Sequence, residues 1–247
     1  MFSSIGIEVM INYKVIVIVA AATLFILGAV FLGNWYDRPP DGGPSGPSGP
    51  DGSDGPSELA PAEIREYEGE DLSSIDDFRE NSIKGPQYIN HTDYRLSVTG
   101  LVENPTTYTY EEVISDYQNY QKLITLHCVE GWSVKILWEG VLVEDIIEDA
   151  QPTENATVVI FHAHDGYTTS LPLDYLVEND ILLAHKMNNV SLPPERGFPF
   201  ELAAESKWGY KWIKWVNRIE LSNDTDYRGY WESRGFSKEA DVSSSFY

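Results

Sequence analysis

Sulfur is nearly missing from this chain: 247 residues hold one cysteine and three methionines. A lone cysteine forms no internal disulfide and cannot hold an iron–sulfur cluster, so the fold must rest on its core. Positive charge is scarce as well. Lys and Arg number 17 against 39 Asp and Glu, a net charge of −22. Such a field repels nucleic acid and anionic lipid, so neither is expected as a partner. No haem-attachment motif and no internal repeat are present. Apolar and aromatic residues are plentiful, at 42% and 13%. That length and composition allow one good-sized domain with accessories.

Charge is absent altogether from Val15–Gly33, VIVIVAAATLFILGAVFLG. At a helical rise of ~1.5 Å per residue this run spans about 28 Å, close to the thickness of a bilayer core. Trp35 and Tyr36 follow, where an aromatic belt belongs. We expect a short segment at 1–14, an uncleaved transmembrane anchor at 15–33 and a tether at 34–58. The tether includes PPDGGPSGPSGPDGSDGP, which has no large apolar side chain to bury. A globular domain is expected over 59–236, with a C-terminal tail at 237–247. Four N-x-[ST] sequons, at Asn90, Asn155, Asn189 and Asn223, favour a domain outside the cell membrane on a single pass.

Within the domain, Tyr94–Gly100, Leu123–Cys128, Thr157–His164, Ile181–Met187 and Val216–Ser222 have strand-like patterns. Thr109–Tyr120, Leu142–Ala150 and Leu173–Asn179 are expected as short helices, the first capped by Thr109. Strands outnumber helices without strict alternation. The fold class is therefore α+β, mixed and β-rich, rather than a doubly wound sheet.

Cys128 ends its strand and enters a loop, Val129–Ser133. Three roles fit a cysteine there: an inert core residue, a nucleophile paired with a histidine, or a thiolate ligand for a soft or high-valent metal. His127 is a poor partner because adjacent strand residues point to opposite faces. KWGYKWIKWVNR places Lys207, Lys211, Lys214 and Arg218 within twelve residues. Their spacing suits a cationic helix face, but Gly209 favours a loop running into a strand.

Several blocks occur in one order: IKGPQYINHTDYRLSVTGLVENPTTYTYEEV, LHCVEGWSVKILWEGVLVEDII, DGYTTSLPLDYL, DILLAHKMNNVSLPPERGFPF, KWGYKWIKWVNRIEL and YRGYWESRGF. The series resembles the molybdopterin-binding domain of the sulfite oxidase family. It is most similar to the simpler branch that contains methionine-sulfoxide reductase catalytic subunits. The resemblance implies a sulfite-oxidase-type fold, a molybdenum–molybdopterin cofactor and an oxidoreductase performing two-electron oxo transfer. It implies Cys128 as the metal ligand, and Asn81, Lys84, Gly85, Arg196, Lys211, Trp212, Ile213 and Lys214 as cofactor contacts. Asp165, Tyr167 and His185 are the expected catalytic groups, His185 because imidazole titrates near neutrality.

The chain departs from the pattern at three cofactor positions. Glu201 stands where the family often carries arginine, Arg196 where it carries histidine or asparagine, and Ala163 where threonine contacts the pterin. At the substrate side, Ser133 replaces an arginine that sulfite oxidases use to hold their dianion. A small neutral substrate such as a sulfoxide is therefore expected. A haem- or quinone-linked membrane partner would exchange the electrons. The alternative is a non-catalytic module, or one binding zinc or copper through His162 and His164 with His185 or Cys128.

Overall fold

The computed structural model describes residues 61–247, so the segments expected at 1–14, 15–33 and 34–58 lie outside the described residues. Among the described residues no helix is long and apolar enough to cross a membrane. In chain order come β1 (Glu66–Tyr67), β2 (Glu70–Asp71), β3 (Leu96–Gly100), β4 (Thr106–Tyr108) and α1 (Tyr110–Asp116). Then follow β5 (Asn119–His127), β6 (Ser133–Leu142), α2 (Val143–Ala150), β7 (Val158–Ala163), β8 (Thr168–Pro172) and α3 (Leu173–Glu178). The last are β9 (Leu182–Met187), β10 (Val190–Ser191), β11 (Glu201–Ala203) and β12 (Val216–Ser222).

One sheet runs β10-β9-β6-β5, with β11 also paired to β9; the other runs β4-β3-β12-β7-β8. Every ladder is antiparallel except β3 on β12. This is the β-rich α+β architecture that the irregular alternation implies. Helix α2 shows the sequence logic plainly: Val143, Ile146, Ile147 and Ala150 form one buried stripe, and Gln151 ends it in the left-handed region at φ 56°.

Three elements differ from expectation. Helix α1 has the capping box of Thr109 and Glu112 but stops at Asp116 rather than Tyr120. Asn119 supplies the stop, its side-chain amide donating to the Ile114 carbonyl at 2.9 Å and the Tyr117 carbonyl at 3.3 Å. Strand β6 has no counterpart in the sequence reading. Val134, Ile136, Leu137, Trp138, Gly140 and Val141 are all buried, so no polar alternation marks it. The tail at 237–247 is part of the domain. The Trp208 N–H donates to Ala240 O at 2.7 Å, and Ala240 is fully buried.

Gly140 sets how closely β6 and β9 approach. A Cβ there would lie 2.3 Å from the Leu183 carbonyl oxygen, beside a register shift in the ladder. Gly140→Ala should destabilise the domain by about 2 kcal/mol through overpacking, read as a lower midpoint in urea.

Candidate functional site

Strand β5 delivers the thiol. Ile124 and Leu126 are buried on its inner face, and the period of two carries Cys128 inward just past the last hairpin pair, His127 with Ser133. The loop closes through the Cys128 N–H to Trp132 O at 2.9 Å and the Gly131 N–H to Cys128 O at 3.0 Å. Gly131 adopts φ +85°, which glycine takes without strain. The Glu130 N–H approaches the Cys128 sulfur at 3.5 Å. Burial pushes the Cys128 thiol above its ordinary pKa, while the Glu130 N–H and the Arg79 charge oppose that rise.

A second backbone run meets the thiol side-on. A parallel bridge joins His127 to Trp208, and a short 3-10 turn follows at Gly209–Lys211. A Cβ on Gly209 would stand 3.3 Å from the His127 carbonyl and 3.6 Å from the Cys128 Cα, so glycine permits this approach. Together these segments border a cavity of about 510 Å³ that Cys128 lines.

The same cavity is lined by one buried cation, Arg196, a partly buried one, Lys214, and two buried carboxyls, Glu201 and Asp165. Arg196 is 6% exposed and lies with its guanidinium 4.8 Å from the Phe78 ring centroid. Among the described residues it has no hydrogen-bond or ion-pair partner. Lys214 bonds Glu80 at 3.0 Å and the Glu195 carbonyl at 3.2 Å. Burial lowers the pKa of both cations. Glu201 is 3% exposed, and among the described residues its Oε2 has no partner. Burial raises its pKa to about 7, against the opposing pull of Arg196 and Lys214. In a chain of −22, an unpaired buried guanidinium facing open space is a site made for an anion.

Of the residues singled out in the sequence, the cavity brings together Asn81, Cys128, Asp165, Tyr167, Arg196, Trp212, Ile213 and Lys214. Asp165 accepts the Tyr167 N–H at 2.8 Å, and the Tyr167 hydroxyl donates to Tyr210 O at 2.5 Å. Burial holds the Tyr167 hydroxyl protonated, well above its ordinary pKa.

Four expected site residues do not line the cavity. His185 is sealed between Tyr110 and Phe200, with Nε2 2.6 Å from Asn119 Oδ1. Burial lowers its pKa to about 4, so it is a neutral core imidazole. Lys211 is wholly buried, its ammonium on Glu232 at 2.5 Å and on Ser170 O at 2.9 Å. Lys84 is exposed at the rim, with its ammonium 3.4 Å from where a Gly166 Cβ would stand, and Gly85 is its neighbour. The alternative metal module finds no support either. His162 bonds Glu220 at 2.8 Å, and among the described residues no three His, Cys, Asp or Glu side chains converge to hold a metal ion.

The sequence reading also missed an aromatic wall. Phe78, Trp132, Tyr210, Tyr230, Trp231 and Phe236 line the cavity from four separate parts of the chain. YRGYWESRGF carries three of them. Its density of aromatics was the available signal.

Residues 83–231 match the family described as the oxidoreductase molybdopterin binding domain. The chain is 36% identical over 157 residues to the uncharacterized oxidoreductase YuiH of Bacillus subtilis, covering 63% of this chain and 78% of that one. It is 30% identical over 145 residues to the protein-methionine-sulfoxide reductase catalytic subunit MsrP of Gluconobacter oxydans, covering 52% of this chain and 46% of that one. The crystal structure of the sulfane dehydrogenase SoxCD from Paracoccus pantotrophus shares the fold at a TM-score of 0.58. That match is 21% identical and covers 65% of this chain and 44% of the other.

Proposed function

The chain belongs to the molybdopterin-binding oxidoreductase family, and from that premise we propose that it reduces a small neutral sulfoxide. The balance is one sulfoxide, two electrons and two protons giving one sulfide and one water. The observation that carries this reading is the cavity itself, with one thiol, an unpaired buried guanidinium and walls rich in aromatic side chains.

The cavity residues fit the family's molybdenum–molybdopterin cofactor. Cys128 is a thiol at the end of a buried strand face, suited to ligating the metal. Arg196 and Lys214 supply the positive charge that a phosphate group needs, and Trp212 and Ile213 border the same space. When bound, the cofactor supplies two-electron oxygen-atom transfer.

The protein's own residues do the rest. Phe78, Trp132, Tyr230 and Trp231 exclude water from a substrate of modest polarity. Arg79 and Glu130 share the lining as one cation and one carboxylate, so that pair adds no net positive charge for a dianionic substrate. Ser133, where sulfite oxidases carry arginine, adds none. Tyr167 stays protonated, and its hydroxyl holds the Tyr210 backbone in place, which fixes the wall opposite Asp165.

Protein-methionine-sulfoxide reductase catalytic subunits among the relatives support the substrate class. The chain spans 46% to 60% of the length of several methionine-sulfoxide reductase relatives. A membrane anchor at 15–33, an extracytoplasmic domain and a haem- or quinone-linked electron donor complete the reading. The apolar run supports the anchor and the sequons support the extracytoplasmic domain.

The purified full chain should contain about one molybdenum per molecule, and kcat/KM with reduced viologen as donor settles the substrate class. We expect a sulfoxide to be turned over at least ~10-fold faster than nitrate, with sulfite oxidation, followed separately with ferricyanide as electron acceptor, slower still. Zinc or copper at that stoichiometry would refute the cofactor assignment. Preference for an oxyanion would refute the substrate.

A further inference from the structure

Glu201 is a carboxyl in the wrong place for an anion site. It is 3% exposed, lines the cavity and leaves Oε2 without a partner. Its backbone is fixed in β11 opposite Ala184 of β9, which adds no charge. Its stem converges on Lys214 over Gly197, where a Cβ would be 3.0 Å from the Glu201 Cβ and 3.2 Å from the Lys214 Cβ. The two charges that act on it are Arg196, on the short turn before β11, and Lys214, on the run before β12.

The other ionisable groups stand further back. Glu80 from the N-terminal run already holds Lys214, and Glu195 adjoins Arg196. Arg79, Cys128, Glu130 and Asp165 line other parts of the same cavity. On β9, His185 is neutral and bonded to Asn119. No hydrogen bond commits Glu201 Oε2, so this oxygen is free to change protonation state.

An ionised Glu201 would offset the one cation beside it that lacks an ion pair, Arg196, and repel any second anion in the same low-dielectric space. A neutral Glu201 leaves Arg196 uncompensated, with Lys214 still held by Glu80, and offers an O–H donor. We propose that Glu201 is a proton-linked gate on this pocket, admitting a phosphate-class oxyanion beside Arg196 and Lys214 when neutral and expelling it when ionised. Uptake of one anion is then coupled to uptake of one proton by the carboxylate. This rests on reading the cavity as the cofactor's phosphate pocket, and it adds the control of loading. The raised pKa of the carboxyl, about 7, puts the switch near neutrality.

The test uses cofactor-free full chain and sulfate, an oxyanion whose own charge does not change across neutral pH. Thermal melts with sulfate against chloride at matched ionic strength report binding to the folded state. Wild type should bind sulfate at least ~10-fold more tightly near pH 6 than near pH 9, and Glu201→Gln should bind equally at both. Titration calorimetry of wild type near pH 7 in buffers of different ionisation enthalpy should show proton uptake on sulfate binding. That measurement stands even if the variant fails to fold. Arg196→Gln should abolish the sulfate effect at every pH.

Equal binding by wild type at both pH values, no proton uptake, or an unchanged pH dependence in Glu201→Gln would overturn the gate. Molybdenum in the holoprotein alongside any of these outcomes leaves the oxidoreductase reading standing. A holoprotein without molybdenum removes that reading by itself.

Discussion

Cys128→Ser should leave the domain folded and cost at least ~100-fold in sulfoxide turnover. The reasoning begins with supply. This is the one cysteine in 247 residues, so no neighbouring sulfur can replace it. It continues with placement. The hairpin pins the residue through its own N–H to Trp132 O and through Gly131, and those backbone bonds do not depend on the side chain. Serine fits the same rotamer space, so urea unfolding should move by no more than about 1 kcal/mol. A hydroxyl is a harder, far weaker acid than a thiol and does not match the soft-ligand chemistry required. A serine variant that unfolds would make Cys128 a packing residue. One that stays folded and fully active would remove it from the chemistry.

The surrounding fold was legible to very different degrees. Strand β12 at Val216–Ser222 and helix α2 follow their periodicity because each buries one face only. Strand β6 hides because Ile136, Leu137 and Trp138 are buried in succession, which breaks the period of two that Val134, Lys135 and Ile136 begin. The sequence around Cys128 pointed to the correct end of the correct strand, since inward alternation on β5 is regular. His185 illustrates the opposite failure. In Leu182–Met187 only Lys186 escapes burial, so the pattern does not say which side chain faces a cavity and which faces the core.

The basic run from Lys207 to Arg218 misled for a related reason. It runs as the loop into a strand that Gly209 favours, but of the two lysines expected at the cofactor, Lys211 and Lys214, the 3-10 turn and the extended run after it bring only the second to the cavity. Lys207 pairs with Asp241, Lys211 with Glu232, and Arg218 with Glu220 and His162. Only Lys214 lines the cavity. Arg196, from a different block, supplies the second charge there. Clustering in sequence reports local concentration of charge, but direction comes from backbone geometry that composition does not encode.

Lys211→Met should destabilise the domain by about 3–5 kcal/mol, although it touches neither the thiol nor the anion pocket. Lys211 and Glu232 are both fully buried, 2.5 Å apart. Glu232 also accepts from Thr169 Oγ1 at 2.6 Å, and its second oxygen, Oε2, has no partner among the described residues. Removing the ammonium would strand a carboxylate in the interior, and that desolvated charge dominates the cost. The double variant Lys211→Met/Glu232→Leu removes both charges and should recover most of the loss, because an apolar pair of similar volume can replace a buried ion pair. The consequence for function is indirect. Glu232 starts the 3-10 turn Glu232–Arg234 and holds the chain that carries Tyr230, Trp231 and Phe236 to the cavity. The single variant should therefore raise KM more than it lowers kcat, as a loosened aromatic wall admits water beside the substrate. Urea melts of the single and double variants decide the point. If the single variant costs less than about 1 kcal/mol, or the double is no better than the single, the pair is not what holds that wall in place.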